Sequence, residues 1–319
     1  MGGTARVNAP PTPRNGPALN GWIIIDKPLT LGSTQGVSAV KRALRAGGYG
    51  KVKVGHGGTL DPLATGVLPI ALGEGTKLAG RMLDASKSYD FTIEFGSQTD
   101  TLDREGVAVA HSAHRPTGAD IAAILPAFTG AIEQAPPAYS AILIDGQRAY
   151  DLARSGVAVE MKRRAVTIHA LCVVPDDAGA DAAAPVQQVT LRAHVSKGTY
   201  IRSLARDIAL ALGTVGHVAM LRRTRAGPFG LAQAISLDKL SDAAMARNLE
   251  EVLLPLEAGL DGIPALSLSP DEAKLIRQGR TLFGQSVIDG LYLAMDGQTP
   301  VALVMVSAGQ LAVERGFNL

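Results

Sequence analysis

Lys87 to Phe95 reads Lys-Ser-Tyr-Asp-Phe-Thr-Ile-Glu-Phe, and no other stretch limits the possible folds so sharply. Tyr89, Phe91, Ile93 and Phe95 fall on one face, and Ser88, Asp90, Thr92 and Glu94 on the other. A period of two residues fits an extended strand, half-buried because its two faces differ in polarity. Val189, Leu191, Ala193 and Val195 repeat the pattern later in the chain. Between and around these strands, helical and extended segments interleave without the regular strand-helix alternation of a doubly wound sheet. The expected class is α+β, with a mixed, largely antiparallel sheet.

Other elements follow from spacing and stops. Gly21 to Asp26 is a short β-rich apolar run that ends at Lys27-Pro28, as a buried strand does. Val37, Val40, Lys41 and Leu44 keep a helical period up to Gly47-Gly48, and Ile201, Leu204, Ile208 and Leu212 do so up to Gly213, with Arg202 in the first turn. Short helices are expected over Ile121–Phe128 and around Tyr150–Arg154, and a loop over Asp176–Pro185. Pro255–Pro264 carries two prolines and two glycines and reads as a linker. Beyond it, a helix over Pro270–Gln278 and three strands predict a small β-rich C-terminal module.

A hydrophobic fraction of 46% with 19% charged residues excludes a disordered chain, and an aromatic content of 4% argues against a broad base-stacking platform. Cys172 is the only cysteine, so no internal disulfide and no thiolate cluster can form. No His, Cys or Asp spacing matches a metal-ligand set, and neither metal nor cofactor is expected. Met1–Pro17 is rich in Gly and Pro, lacks the apolar core of a secretory signal and reads as a disordered tail. With no long uncharged apolar run to span a membrane, the expected location is the cytoplasm.

The net charge of +2 conceals a strong segregation. Lys41, Arg42, Arg45, Lys51 and Lys53 occur without an acid, Lys162, Arg163 and Arg164 form a triplet, and Lys197, Arg202, Arg206, Arg222, Arg223 and Arg225 face only Asp207. After Gly230 eleven acids outnumber six bases. Basic clusters confined to one part of a chain are an electrostatic footprint for phosphates, although any one of them alone could be a solvated face.

The most unusual stretch is Gly55-His-Gly-Gly-Thr-Leu-Asp61-Pro-Leu-Ala-Thr-Gly66. Glycines allow a ligand to approach the backbone closely, and a carboxylate set among basic residues should stay ionised. The stretch is not a phosphate-binding loop, since G-x-x-x-x-G-K-[ST] is absent. Taken alone, Asp61-Pro62 is a good type I turn.

Extended to Pro69, the same stretch resembles the catalytic loop of the bacterial tRNA pseudouridine-55 synthases. Asp26-Lys27-Pro28, Lys87-x-Tyr89, Gly96-x-x-Thr99-Asp100-Thr101-x-Asp103, Pro137-x-Tyr139-Ser140-Ala141 and Ser196 to Arg202 match further blocks of that family in order. The resemblance spans about residues 20 to 240. It implies a cofactor-free enzyme in which Asp61 acts as nucleophile on a flipped uridine, Tyr89 stacks on the base and Arg202 pairs with the aspartate. By the same resemblance His56, Tyr200 and Leu221 line the nucleotide pocket, Lys27 and Pro28 are structural or contact the RNA backbone, and Asp103 holds a loop near the site. The implied partner is the TΨC stem-loop of tRNA, bound by a monomer without an obligate protein partner.

The family division implies a tail over 1–18, a catalytic domain over 19–255 with an RNA-clasping insertion at about 135–165, and a PUA-like module over 263–319. Two departures stand out: Leu29-Thr30-Leu31-Gly32-Ser33 where the family has Gly then Ser, and Gly57 in place of a common threonine. Two rival readings follow from the residues: an RNA chaperone whose chemistry is incidental, and a hydrolytic glycosidase pairing Asp61 with Asp100 or Asp103.

Overall fold

The computed structural model describes residues 19–140, 142–144, 146–155, 161–174 and 182–319. The expected N-terminal tail and part of the Asp176–Pro185 loop lie outside the described residues.

Strand β1 (Gly21–Lys27) leads to helix α1 (Ser33–Ala46), a short β2 (Val54–His56) and the long β3 (Ala64–Leu72). After helix α2 (Ala79–Asp84) come β4 (Lys87–Phe95), a hairpin of β5 (Ser97–Thr99) and β6 (Ala108–His111), helix α3 (Gly118–Ile124) and β7 (Gly130–Gln134). A two-residue pair, β8 (Leu143–Ile144) and β9 (Gln147–Arg148), and helix α4 (Ala149–Arg154) precede β10 (Arg164–Val173) and β11 (Gln188–Val195). Helix α5 (Ile201–Ala211), β12 (Gly216–Ala226), β13 (Phe229–Gly230) and helix α6 (Leu237–Met245) follow. The C-terminal part contains β14 (Ala265–Ser267), helix α7 (Pro270–Arg277), β15 (Leu282–Phe283), β16 (Gly290–Asp296), β17 (Thr299–Ser307) and β18 (Gln310–Gly316).

The main sheet runs β1-β3-β12-β4-β11-β10-β7, with β2 added to β3 and β13 to β12. It is mixed as expected: β3 and β12 are parallel, with Gly66 opposite Arg223, while the other pairs are antiparallel. Alternation along β4 and β11 places Phe91, Ile93, Leu191 and Ala193 beneath α5, which answers with Ile201, Leu204 and Ile208. Helices α1 and α6 cover Ile23, Ile25, Leu68 and Ile70 in the same way. The C-terminal strands form a separate five-stranded sheet, the β-rich module that the sequence predicts.

Pro255–Pro264 is not a free linker. Residues Leu256–Gly259 form a 3₁₀ turn, and Leu256 and Leu260 enter a core with Trp22, Met82 and Phe229 that also takes in Leu293, Leu303 and Phe317 of the C-terminal module. The indole Nε1 of Trp22 donates to the Leu256 carbonyl at 3.1 Å. Burial of this apolar surface outweighs the local breaking tendency of the prolines and glycines.

Candidate active site

The catalytic-loop candidate joins β2 to β3 and is held from three sides. From α1, Ser33 Oγ donates to the Leu60 carbonyl at 2.9 Å and accepts from the Leu60 N–H at 2.8 Å. From the β1–α1 loop, the Thr30 N–H donates to the Pro62 carbonyl at 2.9 Å, with Thr30 in left-handed backbone at φ 67°. The family departure at Leu29–Ser33 is thus accommodated while the contact with the loop is kept. From β12, Arg223 is 1% exposed and its guanidinium donates to the carbonyls of Val67, Thr59 and Gly58 at 2.7, 3.1 and 3.3 Å. Gly66 has φ 101°, and a Cβ there would collide with the Arg223 carbonyl, so this close approach requires glycine. Asp61 itself opens a turn, closed by the Ala64 N–H donating to the Asp61 carbonyl at 3.0 Å. The turn reading and the family reading therefore describe the same residue.

Asp61 looks into a cleft of about 800 Å³, whose lining includes Tyr89, Asp103, Tyr200, Arg202 and Leu221. Its carboxylate is 44% exposed and Oδ2 lies 3.1 Å from Nη2 of Arg202, whose side chain is only 10% exposed. A buried cation beneath an accessible carboxylate fixes the acid's orientation and leaves its outer face open to a reactant. Nη1 of Arg202 lies 3.4 Å from Oδ2 of Asp103 and donates to the Thr101 carbonyl at 2.9 Å. Asp103 Oδ1 accepts from Thr101 Oγ1 at 2.6 Å and from the Glu105 N–H at 3.0 Å, which ties it to its own loop. Tyr89 borders the cleft from β4 while packing on the sheet core, so it is both a wall and a partly buried core residue. The Tyr200 N–H donates to Gln134 Oε1 at 2.8 Å, and burial raises the pKa of its phenol.

Six of the eight expected site residues thus share one cleft, and two do not line it. Lys27 is fully buried, and its ammonium donates to the carbonyls of Pro28, Leu31 and Pro62 at 3.1, 2.6 and 3.1 Å. All three ammonium hydrogens bind main chain, which is the structural alternative of the two given for Lys27 and not the RNA contact. Burial lowers its pKa to about 8, against the pull of Asp61 and with the help of Arg223. His56 lies on β2 opposite Ile70, outside the cleft lining, with its pKa lowered first by burial and then by Arg223.

The expectation for the basic cluster from Lys197 to Arg225 is also corrected. Arg202 and Arg223 are buried, Arg222 binds Asp26 through two hydrogen bonds of 3.0 and 2.8 Å, Arg206 pairs with Asp207 and Lys197 with Asp84. Of this cluster Arg202 and Arg223 hold the site, while Lys197 and Arg225 are exposed and lie beside Asp84 and Asp261. Lys41, Arg42, Arg45, Lys51 and Lys53, by contrast, are all exposed.

Sequence reasoning missed Arg223 as a support, and it missed the link between Asp100 and Tyr139, whose hydroxyl donates to Asp100 Oδ2 at 3.1 Å. Both residues stood in recognised blocks, but their partners are distant in the chain.

Comparison with known proteins places this geometry in a class and then in a family. The fold superposes on the archaeal box H/ACA sRNP Nop10–Cbf5 complex with a TM-score of 0.68 at 24% identity, covering 94% of this chain and 87% of that one. It is the fold of the pseudouridine synthases. The description "TruB family pseudouridylate synthase (N terminal domain)" fits residues 42–201, and "tRNA pseudouridylate synthase B C-terminal domain" fits residues 202–261. The chain is 64% identical over 301 residues to the tRNA pseudouridine synthase B of Novosphingobium aromaticivorans, covering 94% of this chain and 98% of the relative. It is 56% identical over 307 residues to the protein of that name from Zymomonas mobilis, covering 96% and 99%. The chain belongs to the TruB family of pseudouridylate synthases.

Proposed function

We propose that the chain converts uridine-55 in the TΨC loop of tRNA to pseudouridine, with Asp61 as nucleophile. The observation that carries this reading is the accessible Asp61 carboxylate held 3.1 Å from a buried Arg202, in a cleft bordered by Tyr89. The uridine must leave its stack to reach Asp61, and the Tyr89 ring offers it a new stacking partner. The carboxylate assists cleavage of the bond between ribose and N1. The base turns and its C5 joins the ribose; the C5 hydrogen leaves as a proton and N1 gains one, so no atom is lost and no redox partner is needed.

Tyr200 and Leu221 line the nucleotide pocket, and His56 approaches it from β2 when RNA is bound. The exposed ridge Lys41, Arg42, Arg45, Lys51 and Lys53 meets tRNA phosphates. Residues 19–255 form the catalytic unit, about 135–165 the clasp, and 263–319 a PUA-like module that supplements RNA contact. The protein works in the cytoplasm as a monomer, without cofactor or obligate protein partner.

The hydrolytic alternative loses its second acid, because both Asp100 oxygens accept hydrogen bonds and Asp103 is bound to Arg202 and Thr101. The test is release of tritium from C5 of uridine in an unmodified tRNA transcript. The parent should release it, and Asp61→Asn should bind the transcript but release none. Release by Asp61→Asn refutes the nucleophile, and no release from either protein favours an RNA chaperone.

A further inference from the structure

Arg202 is bound more fully than an ion pair with Asp61 requires. Each terminal nitrogen serves one carboxylate and one main-chain carbonyl: Nη1 faces Asp103 and the Thr101 carbonyl, and Nη2 faces Asp61 and the Tyr139 carbonyl, the last at 3.1 Å. The two carbonyls belong to segments far apart in the chain. What joins those segments is Asp100. Its Oδ1 accepts from the Thr101 N–H at 2.9 Å and the Val107 N–H at 3.0 Å, and its Oδ2 accepts from the Tyr139 hydroxyl at 3.1 Å. The bonds form a closed cycle from Arg202 to Thr101, Asp100 and Tyr139 and back to Arg202.

We propose that Asp100 and Tyr139 are positioning residues for the isomerisation, closing this cycle so that the guanidinium plane is fixed and Nη2 stays aimed at Asp61. The inference rests on the assignment of Asp61 as nucleophile. An arginine on a long flexible stem can pair with a carboxylate in several rotations, and the one seen presents Nη2 to Asp61 Oδ2 and Nη1 to Asp103 Oδ2 together. Two carbonyls at a set separation select that rotation. Their separation is in turn set by the Asp100–Tyr139 bond, since Thr101 adjoins Asp100 and the Tyr139 carbonyl belongs to the residue whose hydroxyl Asp100 holds. Gly106 makes room for this arrangement, because a Cβ there would overlap Asp100 Oδ1. The Tyr139 hydroxyl is already engaged, so this residue acts on the reaction through Arg202.

The test compares Tyr139→Phe and Asp100→Asn with the parent in single-turnover pseudouridine formation at saturating tRNA. Tyr139→Phe breaks the cycle and should slow the rate about tenfold, the scale of a small misplacement of reacting groups, with tRNA affinity and melting temperature unchanged. Asp100→Asn can still hydrogen-bond the Tyr139 hydroxyl through its amide and should recover most of the rate. Combined with Arg202→Lys, which has no fork to fix, Tyr139→Phe should cost less than about twofold more. A Tyr139→Phe rate within about twofold of the parent overturns the proposal, as does a loss confined to tRNA affinity or full additivity with Arg202→Lys.

If the parent itself makes no pseudouridine, the functional reading fails, and the cycle is judged by the side-chain NMR signals of Arg202. Restricted guanidinium rotation in the parent that is released in Tyr139→Phe supports the cycle; identical signals in both overturn it.

Discussion

Replacing Arg223 by methionine keeps most of the apolar stem and removes the guanidinium beneath the loop that carries Asp61. Three hydrogen bonds to main-chain carbonyls are lost, at 2.7, 3.1 and 3.3 Å. Bonds from a charged donor contribute roughly 1.5–3 kcal/mol each, and the longest of the three stands at the low end. Opposing them is the cost of burying the charge, several kcal/mol that methionine does not incur. The balance is a destabilisation of about 2–4 kcal/mol. With an unfolding entropy of about 2.1 cal/mol/K per residue over 319 residues, the melting temperature should fall by about 3–6 °C. Gly58 and Thr59 lead directly into Asp61, so the saturated rate of pseudouridine formation should fall at least about tenfold. A third readout is independent of both: Arg223 is one cause of the lowered His56 pKa, so the imidazole should titrate closer to 6.5 in the variant. Thermal melting, tritium release and NMR titration of His56 check these outcomes. An unchanged melting temperature together with an unchanged rate would show that Arg223 does not hold the loop.

Three further predictions follow from the structure. Lys87 has its pKa lowered to about 8, first by burial and then by Arg223, so between about pH 8 and 10.5 the unfolded chain binds the extra proton and this group's contribution to stability rises with pH. The melting temperature of the parent minus that of Lys87→Met should therefore increase across that window, and a flat or falling difference refutes the assignment. Reversing the exposed ridge with Lys41→Glu, Arg42→Glu and Arg45→Glu should weaken tRNA binding at least about tenfold and reduce the log-log salt slope by about 2–3, with the saturated rate retained; an unaltered slope removes the ridge from the RNA interface. In Gly259→Ala the new Cβ would stand 2.7 Å from the Trp22 indole, so stability should fall by about 1–3 kcal/mol, read by the fluorescence of this single tryptophan. No change in the melting temperature would mean that the 3₁₀ turn is not packed as described.

The parts legible in the sequence are those whose cause is local. Alternation fixed β4 and β11 because one face of each is covered by α5, and the spacing of Ile201, Leu204 and Ile208 marked the helix that covers them. Asp61 is legible only through the family resemblance of the whole stretch up to Pro69, since Asp61-Pro62 taken alone reads as a turn. Arg223 was not legible: it reads as one more charge in Leu221-Arg-Arg-Thr-Arg225, and its acceptors lie more than 150 residues earlier. Arg222 and Asp26, 196 residues apart, were hidden for the same reason. The 3₁₀ turn after Pro255 reads as a linker because its burial depends on Trp22, 234 residues before Leu256. Composition marked the basic segments, but only the fold separates the exposed ridge from the arginines built into the site.

The order of strands in the main sheet has a consequence for the way the protein is made. Strand β12 lies between β3 and β4, although those two are close in sequence and β12 ends at Ala226. A nascent chain that has not yet released this segment holds β3 and β4 without the strand that separates them, and it also lacks Arg223. Pairings of such long sequence separation form slowly, since much chain must be ordered before they contribute. The site around Asp61 is therefore assembled only after about two thirds of the polypeptide has emerged from the ribosome. N-terminal fragments that contain the whole glycine-rich loop but stop short of β12 carry Asp61 without the strand and the guanidinium that hold that loop.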